Sequence, residues 1–203
     1  MANENRPSGF KPHSYLNGAP WNGQARIYCI PAAYSAAAIY VGDPVISGGS
    51  ADALGTPTIA IGAVTGALRG VVVGLGTSPT LMGNPGNPDI AYRPAAAQSK
   101  DWYAMVVDDP NVLFEIQEAS GAAQIAATDI GLNTAPVAGA GNGFISGWQL
   151  QSATGATPVV TATIQLRLMG LVRRPENAFG AYAKHLVKIN VHELGTGTGA
   201  LGV

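Results

Sequence analysis

Along this chain, apolar side chains recur at every second position in short runs, the spacing that puts them on one face of a β-strand. The plainest case is Leu186 to Leu194, where Val187, Ile189 and Val191 alternate with Lys188, Asn190 and His192. From Val159 to Leu171, the residues Val160, Ala162, Ile164, Leu166 and Leu168 alternate with Thr161, Thr163, Gln165 and Arg167, which predicts a long antiparallel strand buried on one face. Asp101 to Val107 is apolar on both faces, as a central strand is. Val112, Phe114 and Ile116 follow the turn signature Asp108-Asp109-Pro110-Asn111, so the two runs predict a hairpin. Arg26 to Pro31, Ala37 to Val45, Thr58 to Val64, Leu68 to Gly74 and Phe144 to Gln151 bring the expectation to about nine or ten strands. Only Gly121 to Ile130 and Ala178 to Lys184 leave room for a helical turn. The predicted fold class is all-β: an antiparallel β-sandwich, jelly-roll-like in topology, or a barrel, with little helix.

The segments between these runs divide the chain. Residues 1–25 contain Pro7, Pro12 and Pro20 with the turn pairs Asn17-Gly18 and Asn22-Gly23, and predict an extended N-terminal arm. The arm carries Phe10, Tyr15, Leu16 and Trp21, which a plain flexible tail has no use for. They need a surface to lie on, in their own domain or on a neighbour, and are candidate interface residues. Residues 26–194 form the single β domain. Within it, Ser47 to Gly55 reads as a Gly/Ser loop, and residues 76–99, interrupted by Pro79, Pro85, Pro88 and Pro94, as a long loop that is a second candidate contact surface. Residues 195–203 read as a flexible C-terminal tail.

Charge changes the picture. Of 203 residues 47% are hydrophobic, an ordinary fraction, but only 11% are charged, against about 25% in typical soluble domains. The surface must therefore be built largely from Gly, Ala, Ser, Thr, Asn and Gln, and a net charge of −1 does little to keep copies apart. With 11 basic and 12 acidic residues, no clustered cationic footprint for nucleic acid is expected. The single cysteine, Cys29, lies in the apolar run Ile27 to Ile30 and reads as a small buried hydrophobe. Met1 to Lys11 has no apolar stretch with a cleavage site, and no apolar run reaches the roughly 20 residues of a membrane helix. Synthesis and folding in a cytoplasm, without a membrane partner, are the expectation.

Candidate chemistry is thin. His185 and His192, seven apart, lack the spacing of a metal pair, His13 stands in the arm, and all three are expected at solvated positions. Asp108 and Asp109 point to opposite faces of a strand and precede a proline, which suits turn capping better than paired general acid/base work. Val72-Val73-Gly74-Leu75-Gly76-Thr77 opens like a dinucleotide fingerprint, but Pro79 stands where the third glycine belongs and no helix follows. No Gly-x-Ser-x-Gly elbow occurs. The expectation is no catalytic, metal or cofactor site, and no enzyme. Arg173 and Arg174, adjacent at a turn, are candidate interface anchors, because arginine pairs well with carboxylates across interfaces.

Taken together, Asn5-Arg6-Pro7-Ser8-Gly9-Phe10, Tyr15 through Gly23, Arg69 through Gly74, Val106 through Glu118, Gly170 through Asn177 and Lys188 through His192 resemble a family of structural proteins encoded beside the major coat protein in tailed bacteriophages. The resemblance implies a capsid decoration, or cement, protein on the outer surface of an icosahedral head. Its partner would be a major capsid protein with the HK97-type fold, and its own state a homodimer or homotrimer. A carbohydrate- or receptor-binding β-sandwich, with Trp21, Trp102 or Trp148 stacking on sugar rings, is the alternative from another class, and another head or tail subunit is a third.

Overall fold

The computed structural model describes residues 3–78, 90–152, 158–195 and 199–202. Among these, fourteen strands follow in chain order: β1 (Lys11–Tyr15), β2 (Arg26–Ile30), β3 (Ile39–Tyr40), β4 (Pro44–Ala51), β5 (Pro57–Ile61), β6 (Gly70–Gly76), β7 (Tyr92–Arg93), β8 (Trp102–Val107), β9 (Val112–Gln117), β10 (Asn133–Thr134), β11 (Pro136–Val137), β12 (Gln149–Leu150), β13 (Leu166–Leu171) and β14 (Lys184–Ile189). One short 3-10 turn, Ala127–Asp129, is the helical content. The all-β expectation holds.

Two assemblies carry the architecture. Strands β2, β5, β4, β6 and β8 close a five-stranded barrel, antiparallel except where β2 meets β5 at Cys29 and Thr58. Strands β1, β9, β14, β13 and β10 form an antiparallel sheet in that order. This is the barrel alternative with a second sheet packed on it, not the two four-stranded sheets of a jelly roll. The period-2 pattern explains both faces of the barrel wall. Tyr28, Ile30, Val45, Ile59, Val72, Ala104 and Val106 point into the barrel and pack together. Val71 and Val107, on the opposite phase of their strands, point out of it and join Phe114, Leu166, Leu168, Val187 and Ile189 of the sheet in the larger core.

Several expectations about pairing and extent are corrected. The predicted hairpin of β8 and β9 does not exist: β8 pairs with β2 and β6, β9 with β1 and β14. The turn at Asp109, closed by Asn111 N–H to Asp109 Oδ1 at 2.8 Å, carries the chain from barrel to sheet. Strand β4, which lies between β5 and β6, runs through the expected Ser47 to Gly55 loop as far as Ala51, its small side chains letting it lie against β5. Val159 to Gln165 and Phe144 to Trp148 are irregular, with Val160 exposed. Of the proline-rich segment, residues 79–89 lie outside the described residues. The remainder supplies β7, which pairs with β3, and the fully buried Arg93, whose guanidinium donates to the carbonyls of Pro31, Ala32, Tyr34 and Pro94.

The N-terminal segment is the largest correction. Residues 11–15 are a sheet strand, and Phe10 is 1% exposed, set edge-on against Phe114 at 6.2 Å. The backbone must turn sharply to bring Phe10 there. Gly9 and Gly42 both adopt positive φ, 64° and 95°, and a Cβ on Gly9 would collide with the Gly42 carbonyl and the Ser146 hydroxyl. The Phe10 N–H then donates to Gly42 O at 2.9 Å. At the other end, Asn133 Nδ2 donates to Ala200 O, and Gly202 N–H to Val160 O, so those described tail residues are held rather than free.

Phe10→Ala is expected to cost about 3–5 kcal/mol of folding stability, as buried phenylalanine truncations do. Urea denaturation measures it; a loss under about 1 kcal/mol, the range of surface changes, would mean that Phe10 is not a core residue.

Candidate interaction surfaces

The six residues singled out in the sequence fall into three environments. Phe10 is core and unavailable to any other molecule. Tyr15 and Trp21 are half-buried against the same core and tied locally, Tyr15 Oη donating to Asn22 Oδ1 at 2.8 Å and Trp21 Nε1 to Gln24 O at 3.2 Å. Leu16 is exposed beside them, in a shallow depression with Asp109 and Asn111. Arg173 and Arg174, in the turn after β13, line a groove to which Leu16 does not contribute. Arg174 is already engaged, its guanidinium gripping Glu115 with two bonds of 3.0 and 2.6 Å, while Lys184 stands 3.7 Å from the same carboxylate. Arg173 is exposed, with no ion-pair partner among the described residues.

This groove, open and of about 800 Å³, is reached by His13 from β1, Leu186 from β14, and Met169, Gly170 and Leu171 from β13. Leu186 faces outward because it alternates with the buried His185 and Val187. Register shifts between Leu168 and Gly170 on β13, so Gly170 pairs with Leu186 and Leu171 with His185. Phe179, exposed on the loop between β13 and β14, lines the groove as well.

Sequence reasoning missed the most exposed apolar side chains. Leu54, at the tip joining β4 to β5, is 78% exposed, and Phe144, with Ile145 beside it, is 68% exposed in the glycine-rich loop between β11 and β12. A signal was present: Phe144 is a lone aromatic in a stretch of small residues that offers it no core. The three tryptophans go the other way. Trp148 is buried, while Trp21 and Trp102 pack partly buried against the two cores.

Titratable groups are buried for structural ends. His185 and Glu118 are both fully buried and meet at 3.0 Å, and Glu118 Oε1 accepts the Ile125 N–H. This corrects the expected solvated position of His185, and a pair sealed from solvent offers nothing to a substrate. His192 is also buried, again against expectation. Its Nδ1 accepts the Leu194 N–H, and burial pushes its pKa down. Asp108 accepts a 2.7 Å bond from Tyr28 Oη, while its neighbour Asp109 does the turn capping. Burial also lifts the Cys29 thiol to about 11, which keeps it protonated and inert. Among the described residues no cluster of His, Cys, Asp and Glu could hold a metal, and no helix is long and apolar enough to cross a membrane.

Asp43 is buried at a cost. It is 2% exposed, accepts the Tyr40 N–H at Oδ2, and leaves Oδ1 buried without a partner. Burial pushes its pKa up to about 6, against the opposing pull of Ser146 and the Tyr40 N–H. It sits where the β3–β4 turn, the Gly9–Phe10 entry and Ser146 converge. Comparison of the chain with protein families, with curated proteins and with solved structures finds no match.

A folded pKa raised above the unfolded 3.8 means that the native state holds the proton more tightly, so Asp43 opposes folding above pH 6 and ceases to as pH falls toward 4. The shift corresponds to about 3 kcal/mol. His192 has the opposite sign, its depressed pKa withdrawing stability below about pH 6.5, so the difference between two variants is the clean readout. Asp43→Asn is expected to unfold at higher denaturant than the parent at pH 8, with the gap closing between pH 6 and 4. A gap that does not vary with pH would show that Asp43 is not charged and buried.

Proposed function

We propose that this chain is a structural virion protein that decorates and cements the icosahedral head of a tailed phage, bridging subunits of a major capsid protein with the HK97-type fold. It is made in the host cytoplasm and resides on the outer capsid surface. The observation that carries the reading is the surface. Eleven large apolar side chains are exposed among the described residues, two of them, Leu54 and Phe144, at loop tips, on a chain only 11% charged. Scattered apolar residues are ordinary on any surface. Here the two most exposed ones stand in loops of a sparsely charged chain, where a second surface can cover them. The sequence resemblance supplies the identity of that second surface.

The role first expected of the arm passes to these loops, because Phe10 and β1 are committed to the fold. Each bound copy adds contact area that must be broken before the shell can open, and firm attachment takes about 1,200–2,000 Å². The glycan-binding alternative would rest on Trp21 and Trp102, since Trp148 is buried in the core.

Leu54→Ser and Phe144→Ser are expected to lower occupancy on expanded heads in a sedimentation assay while leaving the melting temperature within a few degrees of the parent. Stained gels of purified particles should show hundreds of copies per head, where a connector would show about a dozen. Unchanged occupancy in both variants, or a copy number of a dozen, would refute the proposal.

A further inference from the structure

Among the described residues, Asp43 Oδ1 is the carboxylate oxygen left buried with no hydrogen-bond partner. Its Oδ2 accepts the Tyr40 N–H, and Ser146 stands near enough to pull on the proton, but none of the influences on that proton is a charged side chain. A buried polar atom without a partner is rare, and it points to something that the bare chain lacks. Asp43 also lines a pocket of about 470 Å³, a volume within the range of small-molecule sites. Tyr40, Ile61 and Trp148 make its apolar walls, and Tyr40 is held in place by stacking on Tyr92 at 4.9 Å. The rest of the lining is alanine and glycine, from Ala37, Ala38, Gly62 and the stretch Ala138 to Gly141, so Asp43 is the one charged residue in it.

We infer that this pocket binds a primary ammonium group carried on an unbranched aliphatic arm, the nitrogen donating to Asp43 Oδ1 and the methylenes lying against Tyr40, Ile61 and Trp148. The ammonium supplies both things that the carboxylate lacks, a donor and an opposite charge. A guanidinium suits the site less well, because its planar fork calls for two acceptors and Oδ2 is already held by the Tyr40 N–H. A divalent metal would need several further ligands, and no cluster of His, Cys, Asp and Glu among the described residues provides them. Oδ1 is closed to bulk water, so the ammonium reaches it as the exposed wall at Ala138, Gly139 and Ala140 gives outward; that wall has no side chain larger than a methyl to hold it. A free alkylamine and a lysine side chain of another protein carry the same chemistry. The inference stands apart from the head-binding proposal, because it concerns a pocket of the chain alone in solution.

Titration of the full chain with n-butylammonium chloride at pH 8 and constant ionic strength, followed by amide and indole NMR, tests it. Saturating shifts are expected at residues 37–43 and 138–141 and at the Trp148 indole. Asp43→Asn, which is expected to be more stable than the parent at pH 8 and therefore folded, should weaken binding about tenfold or more. n-Butanol, with the same arm and no charge, should bind weaker by a similar factor. Lowering the pH to 5 protonates Asp43, whose pKa is about 6, and should cost the parent about tenfold in affinity while leaving Asp43→Asn unaffected. Nα-acetyl-lysine N-methylamide separates the two sources. If it binds as well as butylammonium, the pocket takes lysine side chains, and if it does not, free amines; either result bears the inference out. Three results would overturn it: no saturable shift in the pocket up to about 100 mM, shifts that Asp43→Asn reproduces in full, or n-butanol binding as tightly as the amine.

Discussion

The structure depends on one shared core between the barrel and the second sheet. Val107 ends β8 in the barrel wall and Val112 begins β9 in the sheet, and both are buried in the same cluster. The four residues between them are too few to let the two assemblies separate. Leu68 and Val71 from the barrel side, and Phe114, Leu166, Val187 and Ile189 from the sheet side, complete the contact. Phe10 closes it from the N-terminal end, which is why the glycine pair at Gly9 and Gly42 has to bend so tightly. Phe10 adds a core anchor at the start of β1, which pairs with β9 along the sheet edge and places His13 in the wall of the outer groove.

Burying so much of a small charge complement inside this frame determines the surface. Glu115 is spent on Arg174 and Lys184, Glu118 on His185, Asp108 on Tyr28, and Glu193 on Arg69 and the Ser47 hydroxyl. What remains outside is sparsely charged, with residues such as Glu4, Arg6, Lys100, Arg173 and Glu176 exposed among small neutral side chains and apolar tips. Such a surface gives little electrostatic steering and little repulsion between copies. The low charge noticed in the composition is thus sharpened by the fold, because a large part of the few acids present is turned inward.

Strand existence was legible and strand partnership was not. Trp102–Val107 and Val112–Gln117 match the expected runs almost residue for residue. Both are buried on both faces, however, so their pattern carries no information about which neighbour each accepts, and a strong turn signal between them suggested the wrong one. His185 was legible in retrospect, since it shares the phase of Val187 and Ile189, whereas His192 lies beyond the end of β14, where alternation no longer assigns a face. Phe10 was read as surface because its neighbours are polar and proline-rich; its burial follows from a partner, Phe114, more than a hundred positions away. Of the candidate surface residues, Leu16 and Arg173 are exposed, whereas Leu54 was overlooked because Ser47 to Gly55 read only as a loop, and Phe144 because Phe144 to Gln151 read as a strand with a place in the core.

Membership of the N-terminal segment in the shared core is most directly tested by native-state amide hydrogen exchange on the free chain. The β1 amides bonded to β9 are expected to exchange only in the same global opening as β9, β13 and β14. Exchange of β1 at a far lower free energy, with the rest of the sheet still protected, would make it an arm after all and contradict the account.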